Sequence, residues 1–179
     1  MSLNEFVIGE LVSYGTNGIC TIEKIEMMSM VSDEPEMPYY VLKPEGNSSS
    51  TVYVPLHNEK LVSRMRKLLT AEEIRQMIED TTREHFDWNN DRRSRNDSFH
   101  RILNSGVSKE MLMMIQCIKK RKKELVTEGK KLPATDTTTL KQAEKLVFEE
   151  FSRVLGLDIN QIESYVMSVL ESLDKNCDI

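Results

Sequence analysis

The chain's only tryptophan, Trp88, stands directly before its densest group of arginines, in the run Asp87-Trp88-Asn89-Asn90-Asp91-Arg92-Arg93-Ser94-Arg95-Asn96. Such a combination suits nucleic acid: arginines neutralise phosphates, and an aromatic ring stacks on a base or wedges between base pairs. A structural account competes with it. A single Trp also serves as a core anchor because it buries a large apolar area, and arginines populate solvated helix faces. On these ten residues alone both accounts stand.

Charge along the chain favours contact. The net charge is -5, which argues against indiscriminate nucleic-acid binding. Its distribution is uneven. Residues 1–91 carry 8 Lys/Arg and 16 Asp/Glu, residues 92–131 carry 12 and 4, and residues 132–179 carry 4 and 9. A basic block between acidic flanks makes one positive region on an otherwise repelling chain. Weak DNA binding is expected from the protein alone, and stronger binding when something else positions it. Within the block, Lys119, Lys120, Arg121, Lys122 and Lys123 circle a helix. Not all five can face one ligand, and a solvated face is their default expectation.

The elements that must carry these residues change character near residue 68. Before it, short β-rich runs alternate with turns: Gly9 to Tyr14, Ile19 to Ile25, Tyr39 to Leu42, and Thr51 to Val54 stopped by Pro55. The connections are Gly15-Thr16-Asn17-Gly18, Asp33 to Pro38, and Pro44 to Ser50. Four or five short strands in so few residues predict a small tudor-like or SH3-like β-barrel. From residue 69 the period is helical. Thr70-Ala71-Glu72-Glu73 reads as a capping box opening a helix to about Asp80, and Asp91 or Asn90 caps a second helix ending at Asn104-Ser105-Gly106. Ser108 is expected to cap a third, with Met111, Ile115, Ile118 and Leu125 as its apolar stripe, stopped by Gly129. An Asp136-capped fourth carries Leu140, Ala143, Val147, Phe151 and Val154 and stops at Gly156; Asp158 to Gln161 opens a fifth with Ile162, Val166, Val169 and Leu173 inward. The fold class is therefore α+β: a β-module over 1–68 and an all-α domain of about five helices over 69–179.

Catalytic chemistry finds no constellation. His57, His85 and His100 are far apart, and there is no Cys-x-x-Cys, no phosphate-loop glycine spacing and no nucleophile motif. Glu72-Glu73 and Glu149-Glu150 read as exposed helix charges. No enzyme, metal site or cofactor is expected. Cys20, Cys117 and Cys177 are odd in number and widely spaced, which suits free thiols in a reducing cytoplasm, and no run of apolar residues reaches membrane-spanning length. No sustained heptad runs through the helices, so a monomer is expected.

Phe6-Val7-Ile8-Gly9-Glu10-Leu11-Val12, followed by Gly18, Ile22 and Ile25, resembles the F-x-x-G-D-x-V…G…I-x-x-I opening of the CarD/CdnL/TRCF family. Tyr39 to Leu42 and Thr51 to Pro55 continue the likeness. Trp88 with Arg92, Arg93, Arg95 and Asn96 resembles the family's W-x-x-R-x-x-x-N element, stretched by about one residue, and Asn104-Ser105-Gly106 its S-G step. Leu140 to Ala143 with Glu149-Glu150 is similar to its A-x-x-x-L-x-x-E helix. The resemblance implies a bacterial transcription regulator without enzymatic activity. Its tudor-like module docks on the RNA polymerase β subunit, and its helical domain reaches promoter DNA at the upstream edge of the melted region. Trp88 is then the minor-groove wedge, with Arg92, Arg93 and Arg95 on phosphates and Lys141 as a further basic contact. Met28 and Tyr53 fall where some relatives place arginines against the polymerase, so the polymerase contact here is either more apolar, at Met28, Tyr53 and Pro55, or centred elsewhere. Met27, Met28 and Met30 either supply that contact or pack as a strand end. An adaptor that binds protein through the β-module, without touching DNA, is the alternative.

Overall fold

The computed structural model describes residues 6–29, 35–47, 49–84 and 86–174, without the side chains of the last two. His85, Cys177, Met30, part of the loop before Pro35, Ser48 and the Leu173 side chain, all named above, lie outside these. The chain divides into two compact units with the boundary between Leu68 and Leu69.

The first unit contains strands β1 (Leu11–Tyr14), β2 (Ile19–Met28), β3 (Met37–Pro44), β4 (Val52–Pro55) and β5 (Met65–Lys67), with a short helix α1 (Glu59–Val62) ahead of β5. All neighbours are antiparallel, in the order β4-β3-β2-β1-β5. That order, with a helical turn before the last strand, is a tudor-like arrangement. Two elements escaped the pattern of the sequence. β5 has three residues and one buried side chain, Met65, too few to show alternation. α1 is a single turn started by Asn58, whose side chain accepts the Leu61 N–H at 3.2 Å. The first turn works as its residues suggest: Gly18 adopts φ +69° and its carbonyl accepts the Tyr14 N–H at 2.9 Å.

Alternating residues fill the core of this unit: Val12 and Tyr14, Cys20 and Ile22, Tyr40 and Leu42, then Val54, with Phe6 and Met65 closing it. Burial, with a smaller push from Glu45, raises the Cys20 thiol to about 11. β2 and β3 outrun their expected lengths, to Met28 and from Met37, whereas β1 starts only at Leu11, and Pro55 is the last residue of β4, paired with Tyr39, rather than its stop. Between Ile22 and Lys24 the register shifts by one residue. This bulge at Glu23 reverses the alternation. Cys20 and Ile22 pair with Pro44 and Leu42, but Lys24 pairs with Val41 and Glu26 with Tyr39. Lys24, Glu26 and Met28 thereby leave the core face for the outer one.

The second unit consists of α2 (Ala71–Asp80), α3 (Arg92–Ser105), α4 (Ser108–Thr127), α5 (Ala134–Leu155) and α6 (Ile159–Asp174). None is long and apolar enough to cross a membrane. The Thr70 capping box forms as its spacing demands, with Glu73 N–H to Thr70 Oγ1 at 3.2 Å and Thr70 N–H to Glu73 Oε2 at 2.7 Å. Met111, Ile115 and Ile118 of α4, Leu140, Ala143, Val147 and Phe151 of α5, and Ile162, Val166 and Val169 of α6 face one core as expected, joined by Ile74, Ile78, Phe99, Ile102 and Leu103, whereas Leu125 is buried apart from it. α3 and α5 end on Gly106 and Gly156 in the left-handed conformation.

Three polar residues correct the sequence expectations. Ser108 is the first residue of α4 rather than its cap, and its hydroxyl donates to Glu150 Oε2 at 2.9 Å. α5 starts two residues earlier than its expected cap, so Asp136 stands inside the first turn, fully buried. Glu150 is not an exposed helix charge: it is 2% exposed and also accepts the Leu69 N–H at 3.1 Å. Its carboxylate thus ties the start of the unit, α4 and α5 together. Glu150→Ala is expected to lower the stability of the helical unit by about 2–4 kcal/mol, because buried donors lose their acceptor. Glu150→Gln, which retains an accepting oxygen, should lose about half as much, as read by urea unfolding.

Candidate nucleic-acid interface

Trp88 lies in the segment leading into α3, and the local sequence fixes that segment tightly. Asp91 caps α3 by accepting the Ser94 N–H at 2.7 Å. Asn89 braces the same turn, its Oδ1 accepting from Asp91 N–H at 2.9 Å and its Nδ2 donating to Ser94 Oγ at 3.0 Å. These bonds set the direction in which the backbone leaves Trp88.

The indole is half-buried against the helical core. It meets Phe99 edge-on at 6.3 Å between centroids and 65° between planes, and Phe86 packs on Phe99 in turn at 6.1 Å. Above the indole stands Arg95, its guanidinium carbon 4.3 Å from the ring centroid. The core-anchor and contact accounts of Trp88 thus both have a footing, since the ring packs on Phe99 and Arg95 while the residue keeps partial exposure.

Arg95 departs from the phosphate role expected of it. It is 4% exposed. Its Nε–H and Nη2–H donate to Asp136 Oδ1 and Oδ2 at 3.3 and 3.0 Å, and its Nη1–H donates to the Asn89 carbonyl at 2.7 Å. The physical reason is position on the helix. Arg95, Phe99 and Ile102 share the buried stripe of α3, and a cation there requires a buried partner. Asp136 supplies it from α5, four residues before Leu140 on the inward stripe of that helix. Sequence reasoning missed Asp136 and Asn89. The available signal was a charged residue on the apolar stripe of each helix, Arg95 on α3 and Asp136 on α5.

Arg92 and Arg93, by contrast, are exposed in the first turn of α3, beside the Trp88 segment. Lys141 is not part of this cluster. It is exposed on α5, five residues from Asp136, hence about 140° further round the helix. It lines a groove of about 740 Å³ with Lys119, Lys120, Lys122 and Lys123 of α4. Lys119 is internally neutralised, bonded to Glu144 at 2.8 Å and Glu163 at 2.6 Å. Burial works against its charge, yet these bonds hold its pKa above the usual lysine value. Arg121 is paired with Glu124 at 2.9 Å. The basic run therefore divides between ion pairs within the unit and exposed lysines.

In the β-module, Met28, Tyr53 and Pro55 come to one face. Cross-strand partners share a face, and the rows run Lys24–Val41–Tyr53, Glu26–Tyr39–Pro55 and Met28–Met37. Tyr53 is 43% exposed, whereas Val41 and Tyr39 are buried between their neighbours. An ion pair of 2.8 Å between Lys24 and Glu26 borders the patch. β4, which carries Tyr53 and Pro55, is an edge strand. Among the described residues no three His, Cys, Asp or Glu side chains are grouped to hold a metal.

Residues 6–68 match the family model of the CarD-like/TRCF RID domain, a segment that takes in all five strands. No curated protein matches the chain significantly.

Removing one member of the Arg95–Asp136 pair leaves the other charged in the core. Asp136→Ala is expected to lower stability by about 3–5 kcal/mol, an effect measurable by urea unfolding. Arg92→Ala and Arg93→Ala, on the exposed side of the same helix, should stay within about 0.5 kcal/mol of wild type.

Proposed function

With residues 6–68 forming a CarD-like/TRCF RID domain, we propose that the protein is a bacterial transcription regulator that anchors on the RNA polymerase β subunit and stabilises the open promoter complex. The observation that carries the DNA half of this reading is the half-buried Trp88 ring held beside exposed Arg92 and Arg93. Inserting an apolar ring at a base step costs a few kcal/mol of unstacking, less where the duplex is already distorted. Such a ring favours the upstream edge of a melted region, where it enters the minor groove. Arg92 and Arg93 lie on the flanking phosphates, and Lys141 is a further, more distant basic contact. Arg95 acts behind the ring. Neither wedge nor phosphate contacts read sequence strongly, so selectivity comes from the polymerase-distorted structure.

The polymerase half rests on the RID domain and on the outer face bearing Met28, Tyr53 and Pro55. These offer adaptable apolar and aromatic contact area. The open edge of β4 beside them suits addition of a strand from the partner. No chemical step is required of the protein, which acts by binding alone. Anchoring raises the effective concentration of the helical unit at the promoter, so a weak DNA contact suffices.

Trp88→Ala should shorten open-complex lifetime to that seen without the factor while leaving co-purification with polymerase intact. Equal lifetimes for variant and wild type would remove the wedge. Tyr53→Asp should abolish co-purification, and retention of full binding would move the contact elsewhere. Replacing Arg92 and Arg93 together by Ala should reduce the salt slope of DNA binding by about 2, following counterion release. An unchanged slope and an absent promoter footprint would instead support an adaptor that binds protein only.

A further inference from the structure

We propose that Arg95 and Asp136 are positioning residues that fix the attitude of the Trp88 ring, a role that rests on the reading of Trp88 as a DNA wedge. A buried ion pair does not account for itself by stability, since an apolar pair of equal volume commonly serves as well. What a guanidinium supplies uniquely is direction. Its donors are coplanar and fixed, so satisfying three of them sets the plane of the whole group. Here two donors meet Asp136 at 3.3 and 3.0 Å, and a third meets the Asn89 carbonyl at 2.7 Å. The plane of Arg95 is therefore set jointly by α5 and by the residue following Trp88.

That plane is in contact with the indole, 4.3 Å from its centroid. Phe99 supplies a second restraint by its edge-on contact. The Asn89–Asp91–Ser94 bonds supply a third through the backbone. Ring and loop are thus held by one bonded set, whose anchor, Asp136, is 41 residues away in sequence from Arg95 and wholly buried. Two functional consequences follow. One side of the ring is occupied by Arg95, so only the remaining surface enters DNA. And the ring is ordered before binding, which spares the association the ordering of that side chain, an advantage of about two- to tenfold in affinity.

Trp88 is the only tryptophan, so fluorescence of the full-length protein excited selectively at the red edge of the indole band, beyond tyrosine absorption, reports this ring alone. The informative variant replaces both members, Arg95→Met with Asp136→Leu, leaving the core filled and no charge orphaned. With the fold confirmed by circular dichroism, it should show a red-shifted emission, stronger acrylamide quenching and lower anisotropy. Open-complex stabilisation should fall about two- to tenfold, with polymerase binding unchanged. Arg95→Lys keeps the charge but not the planar fork, so it should resemble the double variant in ring mobility; should the double variant not fold, Arg95→Lys carries the test. A folded variant with wild-type emission, quenching and anisotropy overturns the proposal, as does wild-type ring behaviour in Arg95→Lys. A freed ring with undiminished open-complex stabilisation, where Trp88→Ala is inactive, overturns it equally. If Trp88→Ala itself is fully active, the wedge reading fails, and the positioning role is decided by fluorescence alone.

Discussion

The helical unit depends on one desolvated contact: the Arg95 guanidinium held between the Asp136 carboxylate and the Asn89 carbonyl. Two charges taken out of water must satisfy each other almost completely, which limits where α3, α5 and the segment before α3 can lie. The apolar stripes around the pair tolerate small shifts, since dispersion and burial have no direction. The ion pair does not. It converts a non-directional core into a frame with a defined geometry at the point where Trp88 meets solvent. Glu150 does comparable work elsewhere, joining Leu69 and Ser108 through one buried carboxylate.

The β-module contains an analogous device made of backbone rather than charge. Without the bulge at Glu23, Lys24, Glu26 and Met28 would continue the phase of Cys20 and Ile22 and point at the core. One inserted residue moves them outward, into the rows that hold Tyr53 and Pro55. A single local irregularity thus assembles the outer patch from two different strands. The cost is visible on the other face, where Ile25 and Met27 now lie on the core side but beyond its cover, and both stay exposed.

Much of this was legible in the residues. Alternation located four strands, and period and capping located five helices, because long patterned elements average out local noise. The helix stops at Gly106 and Gly156 were legible because few residues besides glycine adopt that conformation easily. β5 and α1 were not, being shorter than one period of any pattern. The bulge left a trace in the spacing of Ile22 and Ile25, which breaks two-residue alternation, yet a trace of that kind does not say which face wins. The buried charges were the main failure. Residue type alone points Arg95 to phosphate, Asp136 to a cap and Glu150 to solvent, although each falls on the apolar stripe of its helix. Type gives what a side chain prefers, whereas helical phase gives where it must go, and a partner 41 residues away decides between them.

The same pairings bear on how a protein of net charge -5 would meet a polyanion in the proposed role. The basic block between residues 92 and 131 does not act as a sum. Arg95 is neutralised by Asp136, Lys119 by Glu144 and Glu163, Arg121 by Glu124, and Lys109 by Glu84. With Lys130 on Glu128, five of its cations are thus held by carboxylates, and the pairings of Arg95, Lys119 and Lys109 tie elements together across the fold. In the proposed DNA-binding role, phosphate contact would fall to exposed residues such as Arg92 and Arg93, and two such contacts would give a salt dependence near -2, far below that of a protein binding DNA by charge alone. A proposed wedge with so little electrostatic support would gain its occupancy from a tether, because anchoring multiplies local concentration without adding a contact. The distribution of charge and the presence of a separate β-module are therefore two sides of one constraint: the weaker the phosphate contact, the more the protein depends on what its other unit binds.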